Sequence, residues 1–503
     1  MRPLTAVSVL LTVMSAQEFK PKIPKVWDEE SLKEWATPLA GLNMRPTHIS
    51  GKEYYAMRVE NLKSYPVYYP GREPAGYWEM LQKVGPKPLI EPEKLKTEAD
   101  WIAAGQTVFF GMEETGLRTL DPDLIAAARK AESYSSNPPL PDGTVPLLLW
   151  VPTEKGVALS KTGCATGCHA SYRPDGSRNP GTPRQPSSPS AFASPRFIRE
   201  RNRDANGLLE GGGPFFMGKA PFGEWLFQAY GVPWGDDAGS EGWKRMTEAE
   251  FRPLRDAYSR SGAIPRWNGS LLYPVKTPDL VGIKDRKYID HTATHLHRGI
   301  GDLMRYAALV AFADAADFGP HRMLSTAKRI GVRLSDEALY ALALYIYSLK
   351  PPANPKPFDA KAQAGQKIFA REGCVNCHTP PLYTNNKLTL AEGFKPPADR
   401  SSPLDILPIS VGTDPGLALK TRKGTGYYKV PSLKGVWYRG RYLHDGSVAS
   451  LEEMFNPDRV KDTHVPGGYI PAGKKTWAIR GHEFGLKLDA VERSELIAFL
   501  KTL

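Results

Sequence analysis

Cysteine is scarce in this chain: there are four in 503 residues, all in two short segments at 164–168 and 374–377. None is left over for a structural disulfide, so even in an oxidising compartment the fold must rest on its core. Long apolar runs are lacking too. Beyond the first residues nothing approaches the ~18 consecutive apolar residues of a membrane-crossing helix, which argues against a span in the mature chain. The charge is unbalanced, 66 Lys and Arg against 54 Asp and Glu, net +12. The basic residues are spread along the chain with no nucleic-acid-binding motif beside them, so nucleic acid is not expected as a partner. Such a surface either steers an acidic partner protein or serves solubility alone. Glycine and proline, 46 each, are plentiful but below the level of a disordered chain, so long ordered loops on a helical frame are expected.

The cysteines define the chemistry. Cys374-Val375-Asn376-Cys377-His378 is a C-x-x-C-H segment, and Cys164-Ala165-Thr166-Gly167-Cys168-His169 is the same pattern widened by one residue. Two thiols for the vinyl groups and an adjacent imidazole for the iron are what covalent attachment of haem c requires. A zinc or thioredoxin-like pair is the competing reading, but it gives no reason for a histidine directly after both pairs. Two covalently bound haem c groups are therefore expected, with His169 and His378 as proximal ligands. Met1-Arg2, the apolar run Leu4 to Met14 and the small residues Ser15-Ala16 read as a signal peptide over 1–16. Haem c is attached outside the bacterial cytoplasm, so a periplasmic or secreted protein is expected.

A diverged duplication surrounds the two motifs. Ala104-Gly105-Gln106 through Phe109 recurs as Ala364-Gly365-Gln366 through Phe369 ahead of each motif. Lys276 to His291 aligns without gaps on Lys429 to His444, sharing Lys, Pro, Leu, Gly, Arg and His. Helical patterns with one-sided apolar stripes close each unit, at Leu339, Leu342, Ile346 and Leu349, then at Leu496, Leu500 and Leu503. Asp489 with Glu492 forms a capping box for the second. The expected fold is mainly α: two tandem cytochrome c-like domains with long loop insertions in the first. The boundaries read as an N-terminal extension over 17–96 that wraps the first domain, a domain with the active haem over 97–352, and a C-terminal electron-transfer domain over 353–503, joined by the Pro-rich stretch from Pro351 to Pro357. One insertion includes the Pro-, Ser- and Arg-rich stretch from Arg173 to Arg203; another carries Phe215, Phe216 and Trp225, which would wall an apolar pocket.

The tandem motifs, with Lys429 to Leu433 leading to Tyr442-Leu443-His444-Asp445-Gly446-Ser447 and Leu451-Glu452-Glu453, resemble the bacterial di-haem cytochrome c peroxidases. Their superfamily includes the di-haem enzyme that matures methylamine dehydrogenase and the rubber oxygenases. The insertions and Gly481-His482-Glu483-Phe484-Gly485 look most like the rubber-oxygenase branch. The resemblance implies a six-coordinate C-terminal haem for electron transfer and an N-terminal haem where peroxide or dioxygen reacts. It also implies an interdomain calcium ion in the peroxidases, left open here. Where the peroxidases place a distal methionine this chain has Asp458, a poor iron ligand. His482, His464 and Met454 remain as candidates, with His482 favoured by its place before the turn at Gly485. For the N-terminal haem, the place of the peroxidases' distal histidine is Gln185 and the position matching His482 is Lys328, so an open iron is expected. His291, aligned with His444, is the candidate catalytic partner of His169; His295, His297 and His321 crowd nearby, as hydrogen-bonding groups rather than a metal site. Trp437, Tyr438 and Tyr442 lie where electrons would pass between haems, with ordinary packing as the plainer reading.

Three functions fit. The leading one is reduction of H2O2 at the N-terminal haem with electrons from a small, acidic redox protein. The others are cleavage of an unsaturated hydrocarbon with O2, and a pure electron carrier with two closed haems.

Overall fold

The computed structural model describes residues 18–40, 48, 50–113, 118–134, 139–161, 168–184, 263–264, 273, 275–311, 332–398, 404–420, 424–471 and 473–503. Residues 1–16, Cys164, Gln185, Phe215, Phe216, Trp225, His321 and Lys328 lie outside them.

Two crossed helix pairs form the frame. Glu98–Gly111 packs on Asp336–Ser348, and Ala360–Arg371 packs on Ala490–Leu500. Each is started by a side chain that accepts from the first-turn N–H groups: Thr97, Ser335, Asp359 and Asp489. Thr97 with Asp100, and Asp489 with Glu492, complete reciprocal capping boxes. Each crossing is held close by a glycine. A Cβ on Gly105 would strike the carbonyl of Ala341 and the Cβ of Tyr345, and one on Gly365 would strike the carbonyl of Glu495 and the Cβ of Phe499. The same contact, four residues apart on the partner helix, occurs in both halves.

Separate cores sit under the two crossings. The C-terminal one joins Ile368 and Phe369 to Leu451, Leu488, Leu496 and Phe499. The N-terminal one is larger because the extension packs into it, with Trp27, Trp35 and Tyr54 beside Leu303, Met304 and Leu339. The extension also lends strands: Arg58–Val59 pairs in parallel with Val332–Arg333, and Tyr65–Tyr68 pairs with Thr144–Thr153.

The fold is helix-rich but not purely so. Thr144–Thr153 and Gly156–Lys161 form an antiparallel hairpin in a three-stranded sheet, where the sequence reading expected only loops. A second hairpin, Ala170–Tyr172 with Arg178–Pro180, follows His169 directly, and its second strand falls inside the stretch from Arg173 to Arg203 whose composition reads as a surface loop. A third small sheet orders Ile406–Ser410, Leu388–Leu390 and Tyr427–Lys429 side by side.

The halves meet through reciprocal bonds. The N–H of Lys276 donates to the carbonyl of His444 at 2.8 Å, and that of Lys429, its duplicate, donates to the carbonyl of His291 at 3.1 Å. The duplicated segments therefore face each other across the interface.

Candidate haem sites

In the C-terminal half the helix Ala360–Arg371 ends just before Gly373, whose left-handed φ of 74° turns the chain into the 3-10 turn Cys374–Asn376. The turn closes when the N–H of His378 donates to the carbonyl of Cys374 at 2.9 Å, which brings both thiols and the imidazole to one end of the helix. Burial pushes the Cys374 thiol up to about 11, with Glu372 adding to it, and raises Cys377 too. His378 is 8% exposed. Its Nδ1 donates to the carbonyls of Tyr383 (3.2 Å) and Pro431 (3.1 Å). That fixes the proton on Nδ1 and leaves Nε2 as the ligating atom. Burial holds the ring down to about 4, against the pull of the two carbonyls.

His482 faces it. The two ring centroids are 6.2 Å apart. Two metal–imidazole bonds of about 2 Å, plus roughly 1 Å from nitrogen to centroid on each side, come to about 6 Å, so the spacing suits one metal atom between the rings. His482 Nδ1 is buried and has no hydrogen-bond partner among the described residues. Burial and the neighbouring His378 push this ring down to about 4 as well. The residues thus fit a haem held by Cys374 and Cys377 with imidazoles on both faces.

The backbone around His482 is tightly set. Gly481 and His482 both have left-handed φ, 79° and 48°, and a Cβ on Gly481 would collide with Gly412 and Thr413. Arg459, fully buried, donates to the carbonyls of Met454, Ile479, Gly481 and His482. Sequence reasoning missed Arg459, and nothing local in the sequence marks it. The other two distal candidates are engaged elsewhere: His464 Nε2 lies 2.9 Å from Glu453 Oε1, and Met454 packs into the core with Leu451 and Phe455.

In the N-terminal half Cys168 is half-buried and His169 is 8% exposed. Their carbonyls accept from Arg184 (2.8 Å) and Gly181 (2.7 Å), which fold the following hairpin back over the motif. Beside Ala170 opens a cleft of about 470 Å³, between the outer face of Glu98–Gly111 (Gln106, Thr107, Phe110) and the sheet (Leu148, Leu149). The matching face of the C-terminal helix, Gln366, Lys367, Ala370 and Arg371, meets solvent.

The neighbouring histidines separate. His291 Nε2 lies 2.8 Å from the carbonyl of Lys276 in the wall between the halves, and burial with Lys429 and Lys276 pushes the ring well below its ordinary value. His444 stacks on Tyr428 at 4.4 Å. His297 lies between the carbonyl of Arg286 (2.7 Å) and the hydroxyl of Tyr347 (2.6 Å). His295 stacks on Trp35 at 3.9 Å, next to His48, in a box with Trp27 and Tyr54 that sequence reasoning did not find. Tyr438 donates to Asp279 across the interface, and Tyr442 to the carbonyl of Val436.

Parts of the chain are similar to known proteins. A family described as RoxA-like, cytochrome c-like matches residues 426–464, the stretch from Gly426 through the His444 segment to His464. Cytochrome-c peroxidase IdrP1 of Denitromonas iodatirespirans is 28% identical over 196 residues, 33% of this chain and 49% of that protein. The methylamine utilization protein MauG of Methylorubrum extorquens is 24% identical over 148 residues, 29% of this chain and 35% of that one. The chain spans about half the length of the curated relatives it matches, or less. A solved MauG-like protein associated with microbial copper homeostasis aligns at 18% identity over 46% of this chain and 73% of its own, with a TM-score of 0.29. The chain is similar to the superfamily of the di-haem cytochrome c peroxidases, MauG and the RoxA-like cytochromes, and that similarity implies covalently bound haem c.

Proposed function

We propose that this chain is a periplasmic or secreted di-haem oxidoreductase with two haem-bearing domains, 97–352 and 353–503. It reduces H2O2 at the haem of Cys164, Cys168 and His169, drawing electrons through the haem of Cys374, Cys377, His378 and His482. The observation that carries this reading is the contrast between the motifs: in the compact half two imidazoles face each other at 6.2 Å, while the enlarged half has a 470 Å³ cleft beside its motif. An iron with two imidazole ligands is suited to passing electrons, and one with access to a cleft is suited to substrate.

When bound at His169, haem iron supplies the redox chemistry of H2O2 + 2 e⁻ + 2 H⁺ → 2 H2O. The chain does the rest. The carbonyls of Tyr383 and Pro431 hold His378 in its ligating tautomer, and Arg459 fixes the loop that carries His482. The hairpin after His169 and the sheet of the insertion shape the approach to the N-terminal motif. The donor is a small redox protein, acidic to match the +12 charge.

A second reading, oxygen-dependent cleavage of an unsaturated hydrocarbon, is favoured by the apolar part of the cleft wall, Phe110, Leu148 and Leu149. The oxidised holoprotein should contain two haems by pyridine haemochrome and show one high-spin and one low-spin ferric signal. Turnover of H2O2 with a reduced donor, but not of an alkene with O2, supports the peroxidase. The reverse result supports the oxygenase, and two low-spin signals without turnover leave an electron carrier.

A further inference from the structure

Between the two halves lies a cavity of about 60 Å³, room for a water or a group of similar size. Its wall carries Lys276, Lys429, Arg286 and Arg439 with a single carboxylate, Asp279. The four cations are two copies of one pair, each lysine preceding its arginine at the same spacing in the duplicated segments. Asp279 is already engaged: its Oδ2 accepts from the Tyr438 hydroxyl at 2.9 Å and lies 3.7 Å from Arg439 and 3.9 Å from Arg286, and its Oδ1 accepts from the N–H of Val281. Among the described residues the lysine ammonium groups donate to carbonyls, Lys276 to that of Arg441 and Lys429 to those of Tyr288 and Ile289. Asp445 and Asp290 act on them from outside the wall, yet burial still pushes both lysines down to about 7. Asp285 likewise acts on Arg286 from outside, but in the wall itself the four cations face one carboxylate, a setting that favours a further anion.

A calcium ion does not fit here. It takes roughly six to eight oxygen ligands, carboxylates prominent among them. Against four repelling cations this wall sets one engaged carboxylate and the oxygens of Asn386, Thr384 and Ser432, which are already tied to the N–H of Lys287, to Val430 and Asn386, and to Leu382 and Lys434.

We propose that the cavity between the halves is an anion site that receives carboxylate groups, and that no calcium ion occupies it. Two sources supply that chemistry. One is haem propionate, and this arm rests on the haem reading above. The His378 ring is anchored to the carbonyls of Pro431, in the cavity wall, and of Tyr383, next to Thr384 in the same wall, and propionates leave a haem on the edge opposite its thioethers. The other source is a small free carboxylate from solvent.

Holoprotein freed of divalent ions by chelation and gel filtration is titrated with CaCl2 and separately with sodium formate, while haem absorbance and midpoint potentials are followed. Lys276→Gln, Lys429→Gln and the two Lys→Arg variants are measured alongside. The expected result is no calcium retained through gel filtration, with either a saturable formate response that the Gln variants lose or a midpoint potential that they lower, and recovery in the Arg variants. A formate response identifies the solvent source, and a potential shift without one identifies propionates. One calcium per chain, or Gln variants with wild-type potentials and formate response, would overturn the proposal. If the Gln variants do not fold, calcium retention still decides it. A single haem or missing peroxide turnover would remove the activity reading and leave the calcium and formate outcomes standing.

Discussion

His482 combines three properties at one residue: a left-handed backbone, a half-buried ring with a buried Nδ1, and an imidazole 6.2 Å away. Replacing it with glycine relieves the backbone and deletes the ring, so the variant should fold, and the low-spin ferric signal of the C-terminal haem should become high-spin in electron paramagnetic resonance. His482→Met should raise that haem's midpoint potential, since thioether ligation favours the reduced iron over a second imidazole. An unchanged spectrum in both variants would remove His482 from the iron. His48 makes a different prediction. Burial, with Arg305 nearby, pushes it from 6.5 to about 4. Because its folded value lies below its unfolded one, the unfolded chain binds the proton first, so its contribution is complete above pH 6.5 and is lost as pH falls towards 4. The window corresponds to on the order of 3 kcal/mol. A His48→Gln variant should show a shallower decline in melting temperature between pH 6.5 and 4 than the parent; equal slopes would contradict the assignment. His482 stood out in the sequence as one of three candidates through its distance from the Gly485 turn. His48 was not, because its partners Trp27, Trp35 and His295 come from separate segments that only the folded core unites.

At the level of elements, the crossed helices were the most readable feature. Periodicity, caps and the repeated Ala-Gly-Gln segment all point to one arrangement, and the structure shows why glycine stands at its centre: the partner backbone passes where a Cβ would be. Gly365→Ala and Gly105→Ala should each destabilise the protein by about 3 kcal/mol, read as a lower urea midpoint, whereas Lys367→Ala on the exposed face should change it by less than about 0.5 kcal/mol. Similar midpoints for Gly365→Ala and Lys367→Ala would mean that the helices do not cross so closely. The sheet was the least readable. Thr144 to Thr153 contains a short apolar run interrupted by proline, which periodicity alone does not assign to strand or helix. It forms a strand because Tyr65–Tyr68 of the extension and Gly156–Lys161 flank it, and neither pairing is written in the segment itself.

The whole molecule divides its positive charge unevenly in consequence, if not in number. Lys276, Lys429, Arg286 and Arg439 are committed to the space between the halves, so they contribute little to the field that a partner meets. Among the described residues, cations such as Lys361, Lys367, Lys474 and Lys475 face solvent, and there the surplus of the +12 chain acts over about a Debye length, roughly 10 Å at 0.1 M salt. If an acidic redox protein is the donor, its bimolecular rate of reduction should fall about tenfold between 10 and 200 mM NaCl, with the rate at saturating donor nearly unchanged, because steering acts on encounter and not on transfer within the complex. A basic donor of similar potential should react more slowly at low salt and speed up as salt is added. Stopped-flow reduction of the C-terminal haem by each donor measures both slopes. Rates that ignore salt with both would show that the surface charge serves solubility, and the docking face would then have to be sought among apolar residues.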